Sequence, residues 1–388
     1  MFYLCHDKDF GLMGRPDSPK PYFEAYESPD RAWTIWNYLK QQQIPSRKDV
    51  HKISPLLLTE RDILRVHSPY LLKIVQNLTL HGKGEIGNTV LANEDTYPLA
   101  VKSAGAVVQL AKIAATNKVH NEPAASPFGG GFAINRPPGH HASTHVSDGL
   151  CVFNNIAIAI TYLREVLDFH EPIAIIDIDE HFGNGLSNIF YEDPSVLYCS
   201  VHEGVLQLGE QGAYNEIGAL DGLGTNINFQ VPVGTFGPQW LISLSVFEPI
   251  LRQFQPSLIF VAAGLDGHWA DPLGNLSLCS SHYHTFARWL KSLSSDICDS
   301  RVIYALEGGY NLLMLGRLVE TLIAPFLDDY SLPPALDEPC PHENNAGLNL
   351  YFLRQVQRMK KELCEILSPY WDFPNIGGRN PPKLDKEG

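Results

Sequence analysis

Cysteine is scarce in this chain: seven residues in 388, at Cys5, Cys151, Cys199, Cys279, Cys298, Cys340 and Cys364. No two are spaced C-x-x-C, and the number is odd. A disulfide framework or a cysteine-built zinc site is therefore not expected, and a reducing cytosol fits better. Basic residues are in the minority. Lys+Arg number 29 against 43 Asp+Glu, a net charge of −14, which weighs against nucleic acid as the main partner. The same balance suits the approach of a cationic substrate. Long apolar runs are missing too. No stretch reaches the roughly eighteen apolar residues of a membrane helix, so no span is expected. The opening residues MFYLCHDKDFG carry no basic segment followed by an apolar core, so no signal peptide is expected. No Lys/Arg-rich run of the import type is present either, and the cytoplasm is the expected location.

What the chain does have is a regular alternation. Short apolar runs at 129–135, 172–176, 196–201, 225–231, 257–263 and 301–306 read as buried strands. Helical patterns lie at 29–43, 59–78, 97–115, 151–167, 185–191, 238–254, 281–293, 312–324 and 348–367, and Asp95-Thr96 sits where the third would be capped. Residues 1–27 read as a strand followed by a long loop. Such alternation implies an α/β fold: one open, mostly parallel sheet with helices on both faces. Ligands of such sheets bind beyond the carboxyl ends of the strands. Residues 1–327 are expected to form the catalytic domain. Residues 328–388 are expected to be an extension: a Pro-, Asp- and Glu-rich surface segment, one helix packing back on the domain, and a mobile polar tail after Phe373.

The stretch IIDIDEHFGN, residues 175–184, is the centre of the pattern. Asp179 and His181 are two apart, so on an extended chain they point the same way. Asp266 follows the apolar run 257–263, Tyr310 follows Gly308 and Gly309 after 301–306, and His140-His141 follow 129–135. Taken singly, each has a plainer reading: a polar turn, a solvated His pair, a helix cap. Together they bring Asp, His and Asp to the strand ends, a donor set with room for water and a substrate oxygen. That set suits a catalytic zinc, and Fe(II) or Co(II) can also fit. Two histidines nearby can take a proton from water and return it to a leaving amine. A tyrosine can donate to a developing oxyanion.

The motifs RPPGHH (136–141), DIDEHFGNG (177–185), AGLDGHWADPLG (263–274) and LEGGYN (306–311) resemble those of the zinc-dependent histone deacetylase superfamily, which includes acetylpolyamine amidohydrolases and bacterial acetoin-utilisation-type deacetylases. The resemblance runs from about Tyr26 to about Leu327 and is closer to the class II branch. It implies an arginase/deacetylase-like fold and one zinc held by Asp179, His181 and Asp266. It makes His141 the general base and acid, His140 its electrostatic companion, and Tyr310 the group that polarises the acyl carbonyl. Asp177 would orient His140 and Asn184 would orient His141, where class I proteins have a carboxylate. A structural potassium would sit among Asp177, Asp179, His181, Ser200 and Val201. Asp95, Gly149, Leu150, Leu208 and Leu273 fall at substrate-binding positions.

The departures are specific. Phe182 replaces a usual second histidine, and Leu150 and Leu208 replace the two aromatics that wall the acyl tunnel. A wider tunnel and longer acyl groups follow as expectations. Leu273 stands where polyamine-selective relatives carry a Glu gatekeeper, which argues for acyl-lysine in proteins or peptides over acetylpolyamine. Glu203 and Glu210 are the acidic residues in the loop after 200–202 that could attract a cationic amine. Arginase-like ureohydrolases need two manganese ions and further aspartates, but Gly183, Gly264 and His268 stand at those positions, so one metal is favoured. A non-catalytic acyl-lysine-binding protein is the remaining alternative. Monomer and oligomer are both left open.

Overall fold

The apolar runs do pair side by side, and every pair is parallel. In the computed structural model, which describes residues 1–14, 26–119, 122–124, 126–204, 211–327 and 340–373, eight strands form one sheet. They are β1 (Phe2–Cys5), β2 (Val50–Ile53), β3 (Gly131–Ala133), β4 (Ile173–Asp177), β5 (Val196–Glu203), β6 (Asn226–Val231), β7 (Leu258–Ala263) and β8 (Val302–Leu306). Their spatial order is β6-β5-β4-β7-β8-β3-β1-β2. β4, β7 and β8 are buried at every position. A strand covered on both faces has no solvent side, so it reads as a continuous apolar run. β2 went unread in the sequence because it is a short edge strand, VHKI, with His51 and Lys52 exposed. Such short charged strands protect sheet edges.

Helices surround the sheet: α1 (Pro29–Gln41), α2 (Glu60–Ile63), α3 (Pro69–His81), α4 (Thr96–Thr116), α5 (Asn155–Leu167), α6 (Asn184–Phe190), α7 (Gly237–Trp240), α8 (Leu244–Phe254), α9 (Ser280–Ile297), α10 (Leu315–Ile323) and α11 (Ala346–Leu367). The helix expected over 59–78 is two. Pro69 disfavours a helical Ser68, and Ser68 instead caps α3 by accepting the Leu71 N–H at 3.2 Å. α5 starts later than expected, because Asn154 caps it through the Ala157 N–H at 3.0 Å. α4 is long and apolar enough to cross a membrane by composition, yet it is packed against α5 and the strands β1, β3 and β8. α11 buries Phe352, Val356, Leu363, Cys364 and Leu367 and lies against β6 and α7. The segment 328–339 and the tail beyond 373 lie outside the described residues.

Parallel pairing matters for the site because it sends every strand the same way. The carboxyl ends of the central strands β4, β7, β8 and β3 therefore open on one edge.

Candidate active site

β4 ends in Asp177, the chain leaving it carries Asp179 and His181, and the chain leaving β7 carries Asp266. His181 Nδ1 lies 3.2 Å from Asp179 Oδ1 and 3.1 Å from Asp266 Oδ2. One donor atom from each residue lies within 4.8 Å of the others. Both aspartates are buried at 1% exposure. Backbone fixes their outer oxygens: Gly308 N–H donates to Asp179 Oδ2 at 2.8 Å, and Glu180 N–H donates to Asp266 Oδ1 at 3.1 Å. A Cβ at Gly264 would stand 2.2 Å from Asp179 Oδ2, and one at Gly308 2.2 Å from Asp266 Oδ2. Only glycine lets these two strand ends approach so closely.

Among the described residues, neither aspartate is paired with a lysine or arginine. Burial disfavours charge on His181, but hydrogen bonds to Asp179 and Asp266 raise the imidazole well above its ordinary value. Burial and the adjacent Asp179 raise Asp266. The donors that meet here are two carboxylates and one imidazole. That chemistry fits a divalent metal of the zinc type.

The loop after β3 brings the histidine pair alongside, with ring centroids 3.9 Å apart. Its backbone is tied down by Glu307, at the end of β8. Glu307 Oε2 accepts the N–H groups of Gly139 at 2.6 Å and His140 at 3.0 Å. His140 Nδ1 meets Asp177 Oδ2 at 3.2 Å, and its Nε2 faces Asp179 Oδ2 at 3.7 Å. His141 Nδ1 donates to Asn184 Oδ1 at 2.7 Å. An amide oxygen accepts only, so the proton belongs on Nδ1 and Nε2 is left basic. Burial acts against charge on both rings, with opposite results. Asp179 and Asp177 overcome it at His140 and hold that ring at about 10. At His141 burial and the His140 charge act together, pushing it down to about 3.

Tyr310 is buried at 8% exposure, with the Arg31 guanidinium 4.7 Å from its ring centroid. Arg31 Nε donates to Gly309 O at 2.7 Å and its Nη2 to Glu307 O. Burial, with Arg31 opposing, raises the phenol well above its usual value, so it is a neutral donor. Asp271 Oδ2 accepts the backbone N–H of Tyr310.

The remaining candidates fall into place unequally. Asp177 also accepts from Tyr198 OH at 2.9 Å and from Asp179 N–H at 3.2 Å. Ser200 is its register partner on β5, its hydroxyl 2.8 Å from His202 Nδ1, and Val201 is buried beside it. Phe182 packs on His202, ring centroids 4.9 Å apart. Gly149 lies against the His141 ring. Leu150 has a φ of +66° and lines a cleft with Val90, Leu99 and Pro137. Asp95 stands at the start of α4 but makes no capping bond; its carboxylate accepts the Gly14 N–H at 2.7 Å instead. Leu273 is half-buried in the loop after Asp266, its N–H donated to Asp271 Oδ1. Leu208 and Glu210 lie outside the described residues. Sequence reasoning missed Glu307, Arg31, Tyr198 and Asp271. Two of them, Glu307 and Asp271, lie inside the quoted motifs, but their bonds span long sequence distances and leave no spacing signal.

Residues 25–325 match the sequence pattern described as Histone deacetylase domain. The chain is 31% identical over 385 residues to Histone deacetylase 5 of Arabidopsis thaliana, covering 95% of this chain and 53% of that protein. It is 30% identical over 282 residues to a Probable deacetylase of Archaeoglobus fulgidus, covering 72% of this chain and 75% of that one. Against Histone deacetylase 14, chloroplastic, of Arabidopsis thaliana it is 38% identical over 213 residues, 54% of this chain and 49% of that protein. The chain spans about half the length of the plant relatives it matches. Among solved structures, the crystal structure of the HDA15 HD domain is similar with a TM-score of 0.77 and 25% identity, covering 95% of this chain and 96% of that one. With the strand-end constellation and this family match in agreement, the chain belongs to the histone deacetylase family.

Proposed function

We propose that the chain hydrolyses the amide of N-acetyl- or N-acyl-lysine in proteins or peptides. The observation that carries this reading is the convergence of Asp179, His181 and Asp266 beside a histidine, His141, whose ring centroid lies 6.2 Å from that of His181. Asp179, His181 and Asp266 would hold zinc, which supplies the Lewis acidity that activates water and polarises a carbonyl. His141 Nε2 takes the proton from the attacking water and returns it to the leaving amine. Its low basicity makes the protonated form a strong acid toward that amine. His140 keeps a positive charge beside the reacting oxygens. The Tyr310 hydroxyl donates to the carbonyl oxygen as negative charge develops there. Arg31 steadies the Tyr310 loop through two backbone carbonyls. Asp177, Asp179, His181, Ser200 and Val201 would hold a potassium ion that braces the strand ends.

Acetylpolyamine is the second reading, favoured by the net charge of −14. Steady-state hydrolysis by the zinc-loaded protein separates the two, with Asp179→Ala as the blank. The panel holds an acetyl-lysine peptide, the same peptide with longer acyl groups, and an acetylpolyamine. Preference for the peptide supports the proposal, and preference for the polyamine replaces it with the second reading. No turnover above the blank with zinc bound rejects both and leaves a substrate outside the panel or an acyl-lysine-binding protein.

A further inference from the structure

We propose that Asp271 is a positioning residue: its carboxylate latches the loop that carries Tyr310 in the orientation the reaction needs. The inference rests on the deacetylase reading above and assigns a role to a residue outside its catalytic set.

Tyr310 follows two glycines, and Gly309 has a φ of +109°. Glycines leave the backbone many conformations, so nothing in the local sequence holds the phenol toward the metal ligands. Asp271 removes that freedom. Its Oδ2 accepts two consecutive N–H groups, Tyr310 at 2.7 Å and Asn311 at 3.0 Å. Its Oδ1 accepts the Leu273 N–H at 3.0 Å, fixing the carboxylate in its own loop. Asn311 Nδ2 adds a third link, donating to Ala270 O at 2.8 Å.

The anchor is rigid. Asp271 N–H donates to His268 O at 2.8 Å, Trp269 N–H to Leu278 O at 2.9 Å, and Leu278 N–H to Gly267 O at 3.0 Å. Asn275 and Leu276 donate their N–H groups to Glu180, between the ligands Asp179 and His181. The loop that presents Asp266 is thereby braced against β4, and Asp271 passes that bracing on to Tyr310. The carboxylate is 7% exposed and contacts the phenol only through the backbone, which makes it a positioning and not a catalytic residue. Charged acceptors give the stronger hydrogen bonds, and two donors on one oxygen set direction as well as distance.

The test is a double-mutant cycle on the zinc-loaded protein. Asp271→Asn keeps the size but turns an NH2 group or a weaker acceptor toward the two donors. An error of about 1 Å in a reacting group costs about a hundredfold. The expected result is a fall in kcat of about ten- to a hundredfold with KM within about twofold. In a Tyr310→Phe background the same substitution should cost less than about twofold, because the group it positions is already gone. An equal loss in both backgrounds, or no loss in the first, overturns the proposal. A second readout needs no turnover: 3-fluorotyrosine at position 310, followed by 19F NMR. One sharp resonance is expected in the wild type, and a broadened or second resonance in Asp271→Asn. A sharp line in both proteins overturns the latch even where the deacetylase reading fails. If Asp271→Asn does not fold, Asn311→Ala removes one of the three links and should broaden the line to a lesser degree; an unchanged line overturns the proposal.

Discussion

Gly308→Ala is the sharpest test of the metal site. The new Cβ would sit 2.2 Å from Asp266 Oδ2 and 2.6 Å from Asp179 Oδ2. Neither neighbour can retreat easily: both carboxylates are buried, Glu180 N–H holds Asp266 Oδ1 at 3.1 Å, and His181 N–H holds Asp179 Oδ1 at 2.9 Å. Relief needs a shift of about 1 Å in at least one of them, whereas zinc ligands tolerate about 0.2 Å. Loss of an outer-shell partner alone costs about 10- to 100-fold in metal affinity. Displacing two ligands should cost at least about 100-fold, about 2.7 kcal/mol. The backbone adds no penalty, because Gly308, unlike Gly309, does not have a positive φ. Zinc affinity would be measured by competition with a chelator of known strength, and kcat at saturating zinc. Gly347→Ala is the control: its Cβ has one neighbour, Asn345 Oδ1 at 3.3 Å, at the start of α11. It should leave zinc binding and kcat unchanged. If Gly308→Ala binds zinc and turns over as the wild type does, the three residues are not the ligand set.

Asn184→Asp places a negative charge on the atom that meets His141 Nδ1 at 2.7 Å. With charge centres about 4 Å apart and an effective dielectric of about 20 this is worth up to about 4 kcal/mol, so the acid limb of kcat/KM should move up by about two pH units or more; an unmoved limb would exclude His141 as the base. His67 and His202 are both buried neutral and pushed down to about 4, burial being the cause. Their contribution is complete above about pH 6.5 and is lost as pH falls toward 4, because the unfolded chain then binds the protons that the fold excludes. Each gives about 1.4 kcal/mol per pH unit in that window, and His67→Gln should lower the slope of urea-unfolding stability against pH by about that amount. Leu150→Phe restores an aromatic at the cleft wall without new backbone strain, since φ is already +66°. Its kcat/KM should fall for long acyl groups relative to acetyl, and equal changes on both would detach Leu150 from acyl selection.

Much of the architecture was legible because buried parallel strands announce themselves as apolar runs, and because the candidate site residues sit at the run ends. Asp179, His181, Asp266 and Tyr310 were readable for that reason. The edge strand Val50–Ile53 was not, since it mixes exposed and buried positions over four residues. The break at Ser68-Pro69 was written in plain chemistry, a capping serine before a proline, but the apolar periodicity on either side masked it. Harder to read were the carboxylates that hold loops together. Glu307 bonds Gly139 and His140 across 168 and 167 positions, and Asp271 bonds Tyr310 across 39. A lone glutamate before Gly-Gly has the same appearance whether it is solvated or bridges two catalytic loops. Only the register of β8 against β3 decides, and that register is a property of the whole sheet.

The same carboxylates impose an electrostatic demand on the floor of the site. Asp177, Asp179, Glu180, Asp266, Asp271 and Glu307 are all nearly or fully buried within adjoining strand ends. Burial and Asp266 lift Glu180 to about 9, and burial with Asp266 also lifts Asp271 to about 7. Glu307 is raised to about 7, by burial first, with His140 opposing. His181 is held protonated between its two aspartates. Without metal, the cluster therefore carries protons at pH 7 where isolated carboxylates and an imidazole would carry few. A divalent cation must displace the proton on the His181 nitrogen and, by its charge, lower the neighbouring acids. Zinc binding at pH 7 should then release about one to two protons. Calorimetric titration in buffers of different ionisation enthalpy measures that number directly. Release of no proton would mean that the metal does not enter between His181 and the two aspartates, and the catalytic reading built on that triad would fall with it.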